Sequence, residues 1–194
     1  VKQFMQVVIA SLILFGCSST PQTQTTTYLL SSMSVGTAVY DETMPKLLVQ
    51  PANVASYLSG DGIAYRTSAN EVVIAQNNLW GEDIAEQIST LLVNRLKRAP
   101  LSVWPMRGNS TIDTMEAQKL LINVAQFEGN YKGNAIFAGE WSLVDAQGSL
   151  IVSENFYFEE PLREEGYKAL VDALDQTVDM LADVIANALT PISA

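Results

Sequence analysis

The stretch Gln118-Lys119-Leu120-Leu121-Ile122-Asn123-Val124-Ala125-Gln126-Phe127-Glu128-Gly129-Asn130-Tyr131 decides the fold. In an extended chain Leu120, Ile122 and Val124 fall on one face, and Leu121, Ala125 and Phe127 on the other. Asn130-Tyr131-Lys132-Gly133-Asn134 then predicts a turn into a second strand over 135–144. Asp145-Ala146-Gln147-Gly148 predicts a turn into a third over 149–158, and a Gly at each turn matches hairpin chemistry. The result is an antiparallel meander. Its apolar residues on both faces predict cover on both, by helices on one side and by something else, a partner chain among the candidates, on the other.

Two amphipathic segments supply the helices. Over 82–98, Ile84, Ile88, Leu91, Leu92 and Leu96 recur at helical spacing. Glu82 and Asp83 stand in the first turn, and Arg95, Lys97 and Arg98 in the last, so both ends complement the helix dipole. Pro100 stops the helix. Over 166–189, Tyr167, Leu170, Leu174, Val178, Leu181, Ile185 and Leu189 form one stripe. Asp172, Asp175, Asp179 and Asp183 form the opposite face, either a solvated surface or a docking face for a basic partner. The fold class is α+β: a single domain with a mostly antiparallel sheet and two long helices packed on it.

Upstream, Tyr28-Leu29-Leu30-Ser31-Ser32-Met33 predicts a first strand and Lys46-Leu47-Leu48-Val49-Gln50-Pro51 a second, ended by its proline. Gly60 and Gly62 predict a tight turn with positive φ. Strands follow over 63–67 and 71–75, joined by a hairpin at 68–70. Gln76-Asn77-Asn78-Leu79-Trp80-Gly81 reads as the lead into the first helix. Residues 101–105 predict a short strand and 107–114 a polar loop. The pair Gly60 and Gly62 makes no phosphate cradle, because no third glycine follows at the required spacing and strand, not helix, comes next.

Composition narrows the chemistry. Hydrophobic residues are 48% of the 194 and charged ones 16%, which fits a globular chain. The net charge of −10 leaves no basic patch for nucleic acid. Histidine is absent and Cys17 is the single cysteine, so His- and Cys-based metal sites and catalytic triads cannot be assembled. No disulfide framework or cofactor is expected. Paired carboxylates remain (Glu159-Glu160, Glu164-Glu165 and the aspartates of the last helix), but they adjoin one another or face solvent and lack the burial that catalysis requires. The reading is that the chain is not an enzyme; a periplasmic hydrolase is the alternative it displaces.

The first residues read Val1-Lys2-Gln3-Phe4-Met5, then an uncharged run to Phe15-Gly16-Cys17. Val1 is read as an initiator from an alternative start codon. A charged start and an apolar core shorter than the ~20 residues of a membrane span read as a secretory signal. Leu14-Phe15-Gly16-Cys17 resembles the lipobox of bacterial lipoproteins, although Phe15 stands where a small residue is usual. That resemblance implies a signal peptide over 1–16, lipidation of Cys17 and cleavage before it. Several acyl chains hold a membrane firmly where one does not. Ser18 after the cysteine implies the outer membrane, with the domain in the periplasm. Loss of Lys2 with the signal leaves the mature chain one unit more negative. Ser18-Ser19-Thr20-Pro21-Gln22-Thr23-Gln24-Thr25-Thr26-Thr27 has no apolar period and reads as a tether, reaching at most roughly 35 Å. The domain then runs over 28–194.

Tyr57-Leu58, Gly60-x-Gly62-Ile63-x-Tyr65-Arg66-Thr67 and Asn77-Asn78-Leu79-Trp80, followed by Gly139-Glu140-Trp141 and Glu165-Gly166-Tyr167-x-Ala169-Leu170-Val171, resemble the ABC-type transport auxiliary lipoproteins. The resemblance covers essentially the whole chain. It implies a non-enzymatic outer-membrane lipoprotein that docks a periplasmic MCE-domain membrane protein of an intermembrane lipid transport system, with a ring-like homo-oligomer as a further implication. An assembly or pilot lipoprotein for another outer-membrane complex is the alternative. Tyr57, Leu58, Tyr65, Arg66, Leu79 and Trp80 are the candidate contacts for partner or second copy. The other reading of the same aromatics is that they close the sheet over the first helix.

Overall fold

The computed structural model describes residues 24–31, 40–108 and 116–190. The lipobox and most of the tether lie outside them. Nine strands form one sheet: β1 Thr26–Tyr28, β2 Lys46–Val49, β3 Asn53–Val54, β4 Gly62–Ser68, β5 Glu71–Trp80, β6 Trp104–Arg107, β7 Gln118–Asn130, β8 Asn134–Val144 and β9 Leu150–Pro161. The helices are α1 Ile84–Leu96 and α2 Tyr167–Leu189, with a 3-10 turn at Ser56–Leu58.

β7 is the spine. Along one side it pairs in parallel with β2, β3 and β4 in turn, and along the other it runs antiparallel to β8. The long pairings β4–β5, β7–β8 and β8–β9 are antiparallel, and the short ones are parallel. The meander stands as read, with Gly133 and Gly148 at positive φ in its turns. α2 lies across β7, β8 and β9, α1 across β2 and β6, and the helices touch each other. Both stripes are buried except at the ends of the second, where Tyr167 and Leu189 are half-buried, and Leu92, Leu174, Val178, Leu181 and Ile185 are fully buried. Asp83 caps α1, accepting from the backbone N–H of Ala85 and Glu86.

Aromatic rings run across the helix-facing side from β5 to the sheet margin. Trp80 lies 6.0 Å from Phe127, Phe127 5.1 Å from Phe137, Phe137 4.8 Å from Phe156, and Phe156 5.7 Å from Phe158. Those spacings are favourable for tilted and edge-on rings.

Four expectations need correction. The first strand ends at Tyr28; Leu30 turns into the core, and its N–H is held by the Gln87 side chain of α1 at 2.8 Å. Residues 76–80 are not a lead into the helix but the second half of β5, where Asn78, Leu79 and Trp80 align with Thr26, Thr27 and Tyr28. Gly60 and Gly62 do not have positive φ. Gly62 sits at a register shift where a Cβ would come 2.4 Å from the Ala75 carbonyl oxygen, so close backbone approach, not handedness, calls for glycine. The strand after α1 is Trp104–Arg107, so Arg107 belongs to the sheet and not to the loop; the rest of that loop, from residue 109, lies outside the described residues.

Candidate functional site

A one-residue irregularity in β7, between Val124 and Gln126, shifts the alternation of the strand. Before it, the even residues face the helices. After it Phe127 does, and Glu128 points to the open face of the sheet. Its side chain has no solvent exposure. Three side chains cover it. Arg66 on β4 donates from Nε to Glu128 Oε1 at 2.5 Å, and Gln126 donates to the same oxygen at 3.3 Å. The Tyr57 hydroxyl donates to Oε2 at 2.9 Å and lies 3.1 Å from the Ala125 carbonyl oxygen. Arg66 also donates from Nη1 to the Ala69 carbonyl at 3.1 Å. The 3-10 turn positions Tyr57, because it sends adjacent residues to opposite sides: Leu58 into the core, Tyr57 over the sheet.

Burial, followed by the Glu128 carboxylate, pushes the Tyr57 phenol far above its ordinary value. The hydrogen bond to Glu128 raises the Arg66 guanidinium further still. Tyr57 is therefore neutral and Arg66 charged through the physiological range. The group is a fixed, mutually hydrogen-bonded polar plug on the open face of the sheet.

The six candidate contacts separate. Leu58 and Trp80 are 4% and 6% exposed, so they are core residues and present no contact surface. Tyr57 and Arg66 belong to the plug. Leu79 is half-buried between Thr27 of β1 and Gly62 of β4. Tyr65 faces the helix side and walls a cavity of about 710 Å³ with Tyr131, Lys132, Leu162, Glu164 and Tyr167. Two pieces quoted above, around Tyr65 and around Gly166-Tyr167, meet at this cavity from distant parts of the chain. Tyr131, in the β7–β8 turn, is 53% exposed at its rim.

The acidic face of α2 is only partly a solvated surface. Arg95 of α1 pairs with Asp175 at 3.2 Å and with Asp179, and Arg98 reaches Asp179 at 3.6 Å. Two of the four carboxylates thus fasten α2 to α1. Asp172 is held by Lys168 one turn back. Among the described residues no group of three or more His, Cys, Asp or Glu side chains is placed to hold a metal ion.

Glu128 and Tyr131 were not among the candidate residues. Glu128 could have been found as the single carboxylate between two residues of an apolar strand, Phe127 and Gly129. Its burial depends on the irregularity upstream, which no local pattern announces.

The two-layer domain thus carries a polar plug on the open face of its sheet and a tyrosine-walled cavity on the helix side. The chain belongs to the ABC-type transport auxiliary lipoprotein component family, whose model matches residues 28–186. It is 35% identical over 182 residues to the intermembrane transport lipoprotein PqiC of Escherichia coli (strain K12), covering 92% of this chain and 89% of that one. The Shigella flexneri protein of the same name matches to the same extent. Among solved structures, an uncharacterized protein superposes with a TM-score of 0.72 at 28% identity, covering 86% of this chain and 99% of its own. A Xanthomonas campestris protein superposes with a TM-score of 0.67 at 17% identity over 84% and 95% of the two chains, a likeness of fold alone.

Proposed function

We propose that this chain is a non-enzymatic accessory lipoprotein of an intermembrane transport system of the Pqi type. Acyl chains on Cys17 hold it at the periplasmic face of the outer membrane. There the domain docks the far end of an MCE-domain membrane protein, with copies of this chain arranged as a ring. The observation that carries the reading is the 35% identity to PqiC over 92% of the chain.

The test begins with Cys17→Ser. This variant is expected to fold with an unchanged thermal midpoint and to leave the outer-membrane fraction. A Cys17→Ser chain that still sediments there removes the acyl anchor from the reading. Mild detergent extraction of the wild-type chain is expected to bring the MCE-domain protein with it, and native mass spectrometry of that complex gives the subunit count. Recovery of a secretin or a barrel-assembly protein in its place would overturn the assignment.

A further inference from the structure

β9 is a margin of the sheet. Over Leu150–Pro161 it pairs with β8 and, among the described residues, with nothing on its other side. A strand of 12 residues therefore turns alternate main-chain N–H and C=O groups outward. The margins at β1 and β6 have 3 and 4 residues, and the stretch of β5 that β1 leaves open, 71–77, has an irregular register with β4, so each is shorter than β9.

Exposed edges are ordinarily blunted by lysine, by proline within the strand or by a bulge. β9 has no lysine or arginine, and its one proline is the last residue. Its register with β8 has one shift, at Ile151 near the start, and is unbroken from Val152 to Pro161, so the ten residues after the shift form a straight edge. Phe156 and Phe158 fix its inner face to the core through the aromatic row. On the outer face Ile151 is 50% exposed and Tyr157 60%, and Leu150 at the strand's start is 63%. Such a strand is a rigid template with two apolar side chains ready to flank an incoming one.

Charge selects the occupant. β9 carries Glu154, Glu159 and Glu160 and no cation, on a chain of net charge −10. Pairing β9 with β9 of a second copy would gather all these carboxylates along one seam with nothing to neutralise them. A basic strand meets the opposite situation. We propose that β9 accepts, by strand addition, an extended lysine- or arginine-bearing segment of the docked partner protein. The main-chain ladder supplies affinity, Ile151 and Tyr157 pack against the segment's apolar residues, and the glutamates select its charge. The inference rests on the reading that this chain docks the MCE-domain protein, and it names where.

The experiment is amide hydrogen exchange on the full-length lipidated chain, alone and in its complex with the MCE-domain protein, both in the same detergent. Alone, the outward amides of β9 are expected to exchange quickly. In the complex they should slow by about tenfold or more, as newly laddered amides do. Glu154→Lys with Glu159→Lys should reduce complex recovery about tenfold, at an unchanged thermal midpoint. A complex that forms with β9 exchange unchanged sinks this inference and spares the docking reading. Absence of any complex sinks both. Protection of β9 in the chain alone also overturns it: protection that rises with protein concentration assigns the edge to a second copy, and protection independent of concentration shows the edge already covered within the chain.

Discussion

Arg66 and Arg95 are both paired with carboxylates, and they are arranged in opposite ways. Arg95 is the buried member of its group, with a side chain 6% exposed, while Asp175 and Asp179 are 14% and 47% exposed. At the plug the carboxylate is buried: Glu128 is 0% exposed and Arg66 22%. In the helix layer, two carboxylates at the surface close over a cation and tie α1 to α2. In the sheet, a cation and a phenol close over an anion that has no route to water. Removing the outer partner therefore has different consequences. Asp179, at 47% exposure, can rehydrate where it stands, Asp175 only in part, and Glu128 not at all.

The comparison is broken most severely by Arg66→Met. It leaves Glu128 buried without its cation, and urea denaturation should show a loss of about 3–5 kcal/mol. Adding Glu128→Leu to Arg66→Met should recover most of that loss, because an apolar pair needs no compensation there. A double variant as unstable as the single one would show that shape, not charge, governs the plug. Arg95→Met should cost less, about 1–2 kcal/mol by the same measurement, since its partners are partly solvated already.

Tyr57→Phe should cost about 0.5–1.5 kcal/mol at neutral pH, the range of a single hydrogen bond. Its pH dependence is more telling. The folded phenol titrates well above the ordinary 10.0, mainly through burial and then through Glu128. As pH rises past 10.0 the unfolded chain releases that proton and the folded chain keeps it, so the native state binds more protons and stability falls with pH. Tyr57→Phe should make that alkaline decline shallower in denaturation midpoints taken between pH 9 and about 11. The smallest effect is expected for Lys168→Ala. Its pair with Asp172 lies on the solvent side of α2, and the midpoint should not move.

The parts of this architecture written in local pattern were legible. The stripes of α1 and α2 and the meander follow from spacing and glycine turns alone, and the long antiparallel pairings are between neighbours in the chain. What escaped depends on distant partners. Gln76-Asn77-Asn78 has the composition of a loop, yet it lies within β5, whose far end, Asn78 to Trp80, aligns with Thr26–Tyr28. The contacts of β7 with β2, β3 and β4 are parallel and remote, and no periodicity encodes them. The same holds for the candidate site. Tyr57 and Arg66 are candidate contacts in the sequence, but the carboxylate that holds both lies in a different strand. Trp80 is a candidate contact because aromatics dominate interface energy; its packing on Phe127, at 6% exposure, makes it core.

The entry of the chain through β1 has a mechanical consequence. β1 stands at one margin and β9 at another, separated by β5, β4, β7 and β8, so at strand spacings of about 4.7–4.9 Å the two lie roughly 24 Å apart. Three register pairs, a bond from the Gly81 N–H to the Tyr28 carbonyl, one from the Tyr28 hydroxyl to Asn78 and the Gln87 clamp on Leu30 fasten β1. Pulled from the Thr26 side, this three-residue strap is expected to peel before the longer strands β4, β5, β7, β8 and β9. Each residue it releases adds roughly 3.3 Å of slack, so a moving load lengthens the leash while the aromatic row stays shut.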